Sequence, residues 1–368
     1  MQAVIMLPPG GRSEAERWVA SGKRACARDL AKRLLEIEAV DHLTALVVDP
    51  EDDEALESLG VEVHRSDGES FQFGEALAEI IERKSIQQLA YFGGASAPLL
   101  ERGMLEPLIA RVKAETEPYA IANNLHSTDW IIINQADLLA SHSHRLPSDN
   151  PLGWVLSHEA GVRVDSAQQS AATRLDIDTP TDLLMVWGHP SLGPELGAFL
   201  TDLSPELKDK LKSVRRVINT PASTLAIIGR ASAHVWKTLV EKTEIWVRLF
   251  VEERGMVASH RLANGEVQSL IAQMVDLLGP EKFVDLLSKM ADGVLWDTRV
   301  WMGTRSEWPS DADRFAADLG WTHLIENQDL RSLTEAIEES SVPILAGGYG
   351  VVGGGLYALL ESLDLEIK

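Results

Sequence analysis

Short apolar runs alternate with amphipathic segments from the first residues of this 368-residue chain. Residues 4–7 predict a strand, and residues 23–37 a helix with Leu30, Leu34 and Leu35 along one face. Further strands are expected over 43–48, 61–64, 89–92 and 130–134, and helices over 53–59, 73–83 and 105–113. Such alternation reads as an α/β fold, a mainly parallel sheet with helices on its faces. The stretch 191–224, punctuated by Pro194, Pro205 and Pro221, reads as a linker with one helix. Beyond it, strands are expected over 225–228, 245–251, 294–302 and 343–346. Helices are expected over 231–241, 268–278, 282–290, 333–339 and 356–363. The length suits two domains, set at 1–190 and 225–368, the second a smaller α/β domain of unknown role.

In open parallel sheets ligands bind at the carboxyl ends of the strands, where Gly10-Gly11 and Gly93-Gly94 fall. Between Arg12 and Arg33 seven basic residues stand against three acids, a local balance of +4 in a chain of net charge −22. A strand, a glycine turn and a cationic helix start can seat a phosphate. An ordinary βα turn with a solvated basic helix face would have the same appearance. The 56 acidic residues against 34 basic ones argue against general binding of nucleic acid. Cys26 is the single cysteine, which excludes an internal disulfide and a cysteine-based zinc cluster. No basic stretch followed by a long apolar run opens the chain, so no signal peptide is expected. The uncharged segment 343–360 contains six glycines and reads as strand, turn and helix start rather than a membrane span. A cytoplasmic protein without membrane partners is expected.

The run Leu7-Pro8-Pro9-Gly10-Gly11-Arg12, with Lys23 one helical segment later, resembles nucleotidyltransferases of the nucleotide-sugar, molybdenum-cofactor and phospholactate guanylyltransferase type. The resemblance implies a three-layer sheet of GT-A-like type over residues 1–190. In that scheme Gly10 and Gly11 close over base and phosphates, with Gly93, Gly94 and Ser96 as further nucleotide contacts. Arg12 and Lys23 would be the catalytic cations, offsetting the charge that builds as pyrophosphate leaves. The stretch Arg174-Leu175-Asp176-Ile177-Asp178-Thr179-Pro180-Thr181-Asp182-Leu183 is similar to the segment that closes the nucleotide domain of these enzymes. Helix capping by Thr179, Pro180 and Asp182 explains part of it without any function. Asp176 and Asp178, expected to alternate on one face of a strand, are left as candidate magnesium ligands. The family's metal-binding Asp is missing, because Gly93-Gly94-Ala95-Ser96-Ala97-Pro98 offers only the neutral Ser96. Either other acids such as Asp129 or Asp178 supply the metal site, or the fold has lost the reaction. The implied partners are a nucleotide or nucleotide-sugar and a small phosphorylated acceptor, with magnesium as cofactor. The alternatives are a non-catalytic ligand-binding or regulatory protein, and a glycosyltransferase using a nucleotide-sugar.

Outside this resemblance, Gly348-Tyr349-Gly350-Val351-Val352-Gly353 matches a dinucleotide glycine pattern. The acid that this pattern needs on a following strand is missing, Glu366 being the nearest candidate. Close helix–strand packing, or a phosphate or carboxylate pocket, are the other readings of these glycines. His142 and His144, with His126 and His158 elsewhere, read as exposed rather than as a zinc site. Asn123-Asn124 is a candidate ligand contact. Six tryptophans, Trp236, Trp246, Trp296, Trp301, Trp308 and Trp321, suggest core or interface packing, compatible with a homo-oligomer.

Overall fold

The computed structural model describes residues 1–66 and 71–363. Glu366, the acid considered for a dinucleotide site, lies outside the described residues. The chain forms a mixed α/β structure with a mostly parallel seven-stranded sheet and a second, four-stranded parallel sheet. The strands of the first are β1 (Gln2–Met6), β2 (His42–Val47), β3 (Glu62–Arg65), β4 (Leu89–Gly93), β5 (Tyr119–Ala122), β6 (Trp130–Ile133) and β7 (Arg163–Ser166). Their order is β3-β2-β1-β4-β6-β5-β7, and β6 alone runs antiparallel to its neighbours β4 and β5. The second sheet comprises β8 (Thr224–Gly229), β9 (Trp246–Val251), β10 (Gly293–Asp297) and β11 (Ile344–Gly347), in the order β11-β10-β8-β9.

Two compact units divide the chain, and neither follows a single stretch of sequence. Met1–Gly10, Ala20–Asp176 and Ser191–Ala198 form the first, and Gly11–Val19, Ile177–Pro190 and Phe199–Lys368 the second. The expected linker 191–224 holds two helices rather than one, Pro194–Thr201 and Pro205–Asn219. Pro194 and Pro205 each open a helix because proline suits the first turn, where its missing N–H is not needed.

In the first unit β1 is buried on both faces, with Ala3, Val4 and Ile5 fully inaccessible. Its continuous apolar run is the signature of a covered parallel strand. Helix α1 (Glu14–Leu35), whose first residues up to Val19 are counted in the second unit, begins well before the expected residue 23. Ser13 and Glu16 form a reciprocal cap: Ser13 N–H donates to Glu16 Oε2 at 2.8 Å and Glu16 N–H to Ser13 Oγ at 3.2 Å. The basic face of α1 is largely spoken for. Arg24 binds Asp49 and Asp52, Arg28 and Lys32 share Glu195, and Arg33 donates to the carbonyls of Ala97, Pro98 and Leu100. Buried Asp29 accepts the N–H groups of Glu195 and Leu196, fixing the start of the helix Pro194–Thr201.

Some expectations need correction. Residues 294–302 are a strand only as far as Asp297 and then form the helix Arg299–Gly303. Both segments are apolar because both are fully buried, so periodicity could not separate them. Asp176 and Asp178 do not alternate on a strand. Asp176 makes an isolated bridge to Ser96, and Asp178 lies in the lead to the helix Pro180–Val186. Strands β5 and β7 were not expected; each has only four residues, and β7 is polar and partly exposed at its edge position.

Gly94 packs so closely that a Cβ there would lie 2.8 Å from Leu7 Cγ and 3.1 Å from the Met6 carbonyl. Gly94→Ala is expected to cost about 1–3 kcal/mol, the usual range for overpacking. Urea unfolding of wild type and variant measures it, and equal midpoints would refute the tight junction.

Candidate functional site: the carboxyl edge of the first sheet

The edge is built around β1 and β4, which pair in register from Gln2 with Leu89 to Met6 with Gly93. Leu7 N–H donates to the Leu46 carbonyl at 2.9 Å and Gly94 N–H to the Met6 carbonyl at 2.8 Å. The two glycine turns therefore begin from neighbouring strands. Gly10 N–H donates to Asp49 Oδ2 at 2.5 Å, and the same oxygen accepts Arg24 Nη2 at 3.0 Å. An anion of the protein thus already occupies the first donor of the expected phosphate loop. The helix start is likewise filled by Ser13 and Glu16. Gly11 has a packing reason to be glycine, since a Cβ would sit 1.8 Å from that of Glu16.

After β4 the chain turns tightly. Ser96 N–H donates to the Gly93 carbonyl at 2.9 Å and Ser96 Oγ donates to the same oxygen at 2.6 Å. Ala97 adopts a positive φ of 54°, and Arg33 gathers the carbonyls just beyond it. Cys26 Sγ donates to the Ser96 carbonyl at 3.8 Å, pinning α1 to this turn. Burial pushes the Cys26 thiol up to about 12, so it has no nucleophilic thiolate at neutral pH. Arg33 and Lys23 act against that shift, while Asp29 and Asp176 add to it.

The bridge to Ser96 brings Asp176 beside the one position where an acid was missing. Within the first unit Gly10 follows β1, Gly93 ends β4 and Gly94 follows it, and Asp176 meets Ser96 at the turn beyond. Gly11, Arg12 and Asp178 belong to the other compact unit. Arg12 is exposed, and its carbonyl accepts from Arg17 Nη1. Asp178 is exposed, and its N–H donates to Asp182 Oδ2 at 3.2 Å.

Sequence reasoning gave little weight to one acid near this edge and missed another. Gly93 N–H donates to the Asp129 carbonyl at 2.9 Å, and Tyr91 OH donates to Asp149 Oδ2 at 3.1 Å. Burial and these two carboxylates hold the Tyr91 hydroxyl well above its ordinary range. Asp129 precedes β6 and Asp149 sits in a loop, so only the antiparallel pairing of β6 with β4 brings them here. Asn123 braces the same turn, accepting from Asp129 N–H at 2.9 Å and donating back to its carboxylate at 2.5 Å. Asn123 is therefore structural. Among the described residues no group of three or more His, Cys, Asp and Glu side chains is placed to hold a metal. Magnesium asks for less, since one or two carboxylates and substrate phosphates suffice for it.

In the second unit the Thr179 cap forms as the sequence implied. Thr179 N–H and Oγ1 both donate to Asp182 Oδ2 at 2.8 Å. Glycines at the end of β11 and just after it press against this cap: a Cβ at Gly350 would lie 1.7 Å from Asp182 Oδ1, and one at Gly347 2.4 Å from Thr181 Oγ1. Close packing accounts for these glycines. Trp296 and Trp301 are core residues, whereas Trp236 and Trp246 are half or more exposed.

No family model matches the chain. No curated protein matches it either. Solved structures similar to it are cytidylyltransferases and nucleotidyltransferase-like proteins, over somewhat more than half of its length. A cytidylyltransferase from Leptospira borgpetersenii is 15% identical, with a TM-score of 0.42, over 58% of this chain and 94% of that one. A nucleotide-diphospho-sugar transferase described from Desulfovibrio desulfuricans gives 12%, 0.42, 56% and 97%. The 4-diphosphocytidyl-2C-methyl-D-erythritol synthase of Anaerococcus prevotii gives 11%, 0.38, 54% and 96%. Likeness at this level assigns no residue a role.

Burial, with the charge of Asp178, raises the Asp182 carboxyl to about 7, against the Thr179 and Asp178 hydrogen bonds. The folded state therefore holds a proton that the unfolded chain has released above about pH 4. Stability should fall as pH rises from about 4 to 7 through this group. Asp182→Asn is expected to flatten that slope in urea titrations; an unchanged slope would show that Asp182 is ionised throughout.

Proposed function

We propose that the carboxyl edge of the seven-stranded sheet binds a nucleoside triphosphate and transfers its nucleotidyl group to a small phosphorylated acceptor. An acceptor phosphate oxygen would attack the α-phosphorus, the bond to the bridging β-phosphate oxygen would break, and pyrophosphate would leave. Positioning and charge stabilisation dominate such a step, so no catalytic triad is needed. The observation that supports this reading is the backbone bridge of Asp176 to Ser96, at the turn that lacks the acid the resemblance calls for. Lys23 offsets charge on the phosphates, Gly10 and Gly94 let backbone approach the nucleotide, and Asp176 offers a ligand to magnesium. Magnesium, when bound, would neutralise the triphosphate charge. The sequence resemblance implies cation and carboxylate roles for Arg12 and Asp178, and Arg12 is tested below.

A binding-only protein on the same fold is favoured by one specific arrangement. The Gly10 N–H and the start of α1 are already met by Asp49 and Glu16. A triphosphate must displace Asp49 from Gly10 to use that donor.

Incubation with each nucleoside triphosphate and a panel of sugar phosphates, with and without magnesium, separates the readings through pyrophosphate release. Asp176→Asn should abolish the magnesium-dependent release while nucleotide binding persists. Nucleotide binding without pyrophosphate from any pair would leave the binding-only reading. Lys23→Ala and Arg12→Ala should each weaken triphosphate binding about tenfold, in line with about 1.5–3 kcal/mol for charge-assisted hydrogen bonds. Unchanged calorimetric affinity would remove either residue from the site.

A further inference from the structure

The second sheet has its own switch point. With β8 as its first strand, the order β11-β10-β8-β9 sends the chain outward to β9 and then back across β8 to β10. The direction of winding reverses between β8 and β10, and such a switch point opens a crevice at the carboxyl ends of the strands. Four polar side chains meet there. Arg230 follows β8, Glu252 follows β9, Asp297 ends β10 and Tyr349 follows β11.

Asp297 is fully buried and bidentate to Arg230, taking Nε at 2.6 Å and Nη2 at 3.1 Å. Gly229, at φ +124°, makes room for it, since a Cβ there would lie 2.5 Å from that of Asp297. The pairing leaves Arg230 Nη1 without a hydrogen-bond partner among the described residues. Arg230 and Arg254 both lie over the exposed ring of Tyr349, at 5.5 and 5.7 Å. Glu252 N–H donates to the Gly229 carbonyl at 2.8 Å, which sets this acid directly beside the end of β8. Its Oε1 accepts from Ser269 Oγ, while Oε2 is buried with no partner.

A buried acceptor left unmade is costly and calls for an explanation. This end of the sheet therefore lacks a hydroxyl for Glu252 Oε2, and the partly exposed Arg230 is open to an oxyanion. One ligand class carries both. We infer that the carboxyl edge of the four-stranded sheet binds a phosphorylated polyol of the nucleoside monophosphate kind, its sugar hydroxyls donating to Glu252 and its phosphate meeting Arg230 and Arg254. The acid after the second strand is where sugar hydroxyls are read in doubly wound sheets. The loop Gly229-Arg230-Ala231-Ser232 has a single glycine, so an arginine takes the place of close backbone approach to the phosphate. This site uses no residue of the first sheet.

The test is calorimetric titration of the full chain with AMP, 2′-deoxy-AMP and inorganic phosphate. It is repeated in Lys23→Ala, which weakens the first-sheet site. AMP should bind one to one in both proteins, about tenfold or more tighter than 2′-deoxy-AMP. Glu252→Gln should erase that preference and leave the weaker, phosphate-driven binding. Equal affinity for the two nucleotides, no AMP binding at millimolar concentration, or a preference that survives Glu252→Gln would each overturn the site. Loss of AMP binding in Lys23→Ala alone would assign the binding to the first sheet and also overturn it. If Glu252→Gln unfolds by circular dichroism, Glu252→Asp draws the carboxylate back by one methylene. A diminished preference then supports the site and an unchanged one refutes it.

Discussion

Two backbone hydrogen bonds at the end of β1 govern the first unit. One runs from Leu7 to the Leu46 carbonyl and the other from Gly94 to the Met6 carbonyl. They extend the sheet one residue past the strand on both sides, so three loops leave from nearly one place. A side chain at Gly94 would wedge the β4 turn away from β1 and with it the Ser96 segment. The rest follows in sequence. Ser96 holds Asp176 by the bridge and Cys26 by its carbonyl, and α1 carries Lys23 to the same region. The meeting of these loops is then a by-product of strand adjacency rather than of any one motif.

The second unit relies on buried charge instead. Arg299 and Asp318 form a bidentate pair at 2.8 and 2.6 Å with both side chains buried, and partly exposed Arg230 makes a second bidentate pair with buried Asp297. Such pairs add little net stability, because desolvation offsets most of the attraction. Their geometric demand is strict, however, since two parallel N–H bonds tolerate little displacement. They fix the ends of β8 and β10 and the helix after β10 in one arrangement. Asp182 does the same for the Thr179 cap and the glycine turn after β11.

The alternation of strands and helices was legible because covered parallel strands are continuous apolar runs, and the helices carry clear stripes. Phe73–Arg83 was read to the residue for that reason. The start of α1 was not, although Ser13 and Glu16 stand at capping-box spacing, because its polar first turn and Gly22 blur the apolar stripe there. Short polar β7 carried no periodicity to find. At the candidate site, Lys23 and the glycines follow from position after β1 and β4. The meeting of Ser96 with Asp176, 80 positions apart, depends on how the segment after β7 returns to the sheet, and no local pattern encodes it. Glu252 and Arg230 were equally silent, since their meaning comes from strand order alone. Most of the positive charge on α1 proved to be internal glue, each cation matched to an acid or a carbonyl that only folding brings near.

Cys26 gives this arrangement a reporter. The chain's only thiol is sealed between α1 and the Ser96 turn, with its proton held far above neutrality. A thiol reagent can reach it only when the helix parts from that turn, and the open thiol would then recover ordinary acidity. The speed of modification is therefore a clock for local opening at the edge of the first sheet, read against global unfolding in the same molecule. Anything that bridges α1 to the β4 turn must slow that clock, whether or not it is ever turned over.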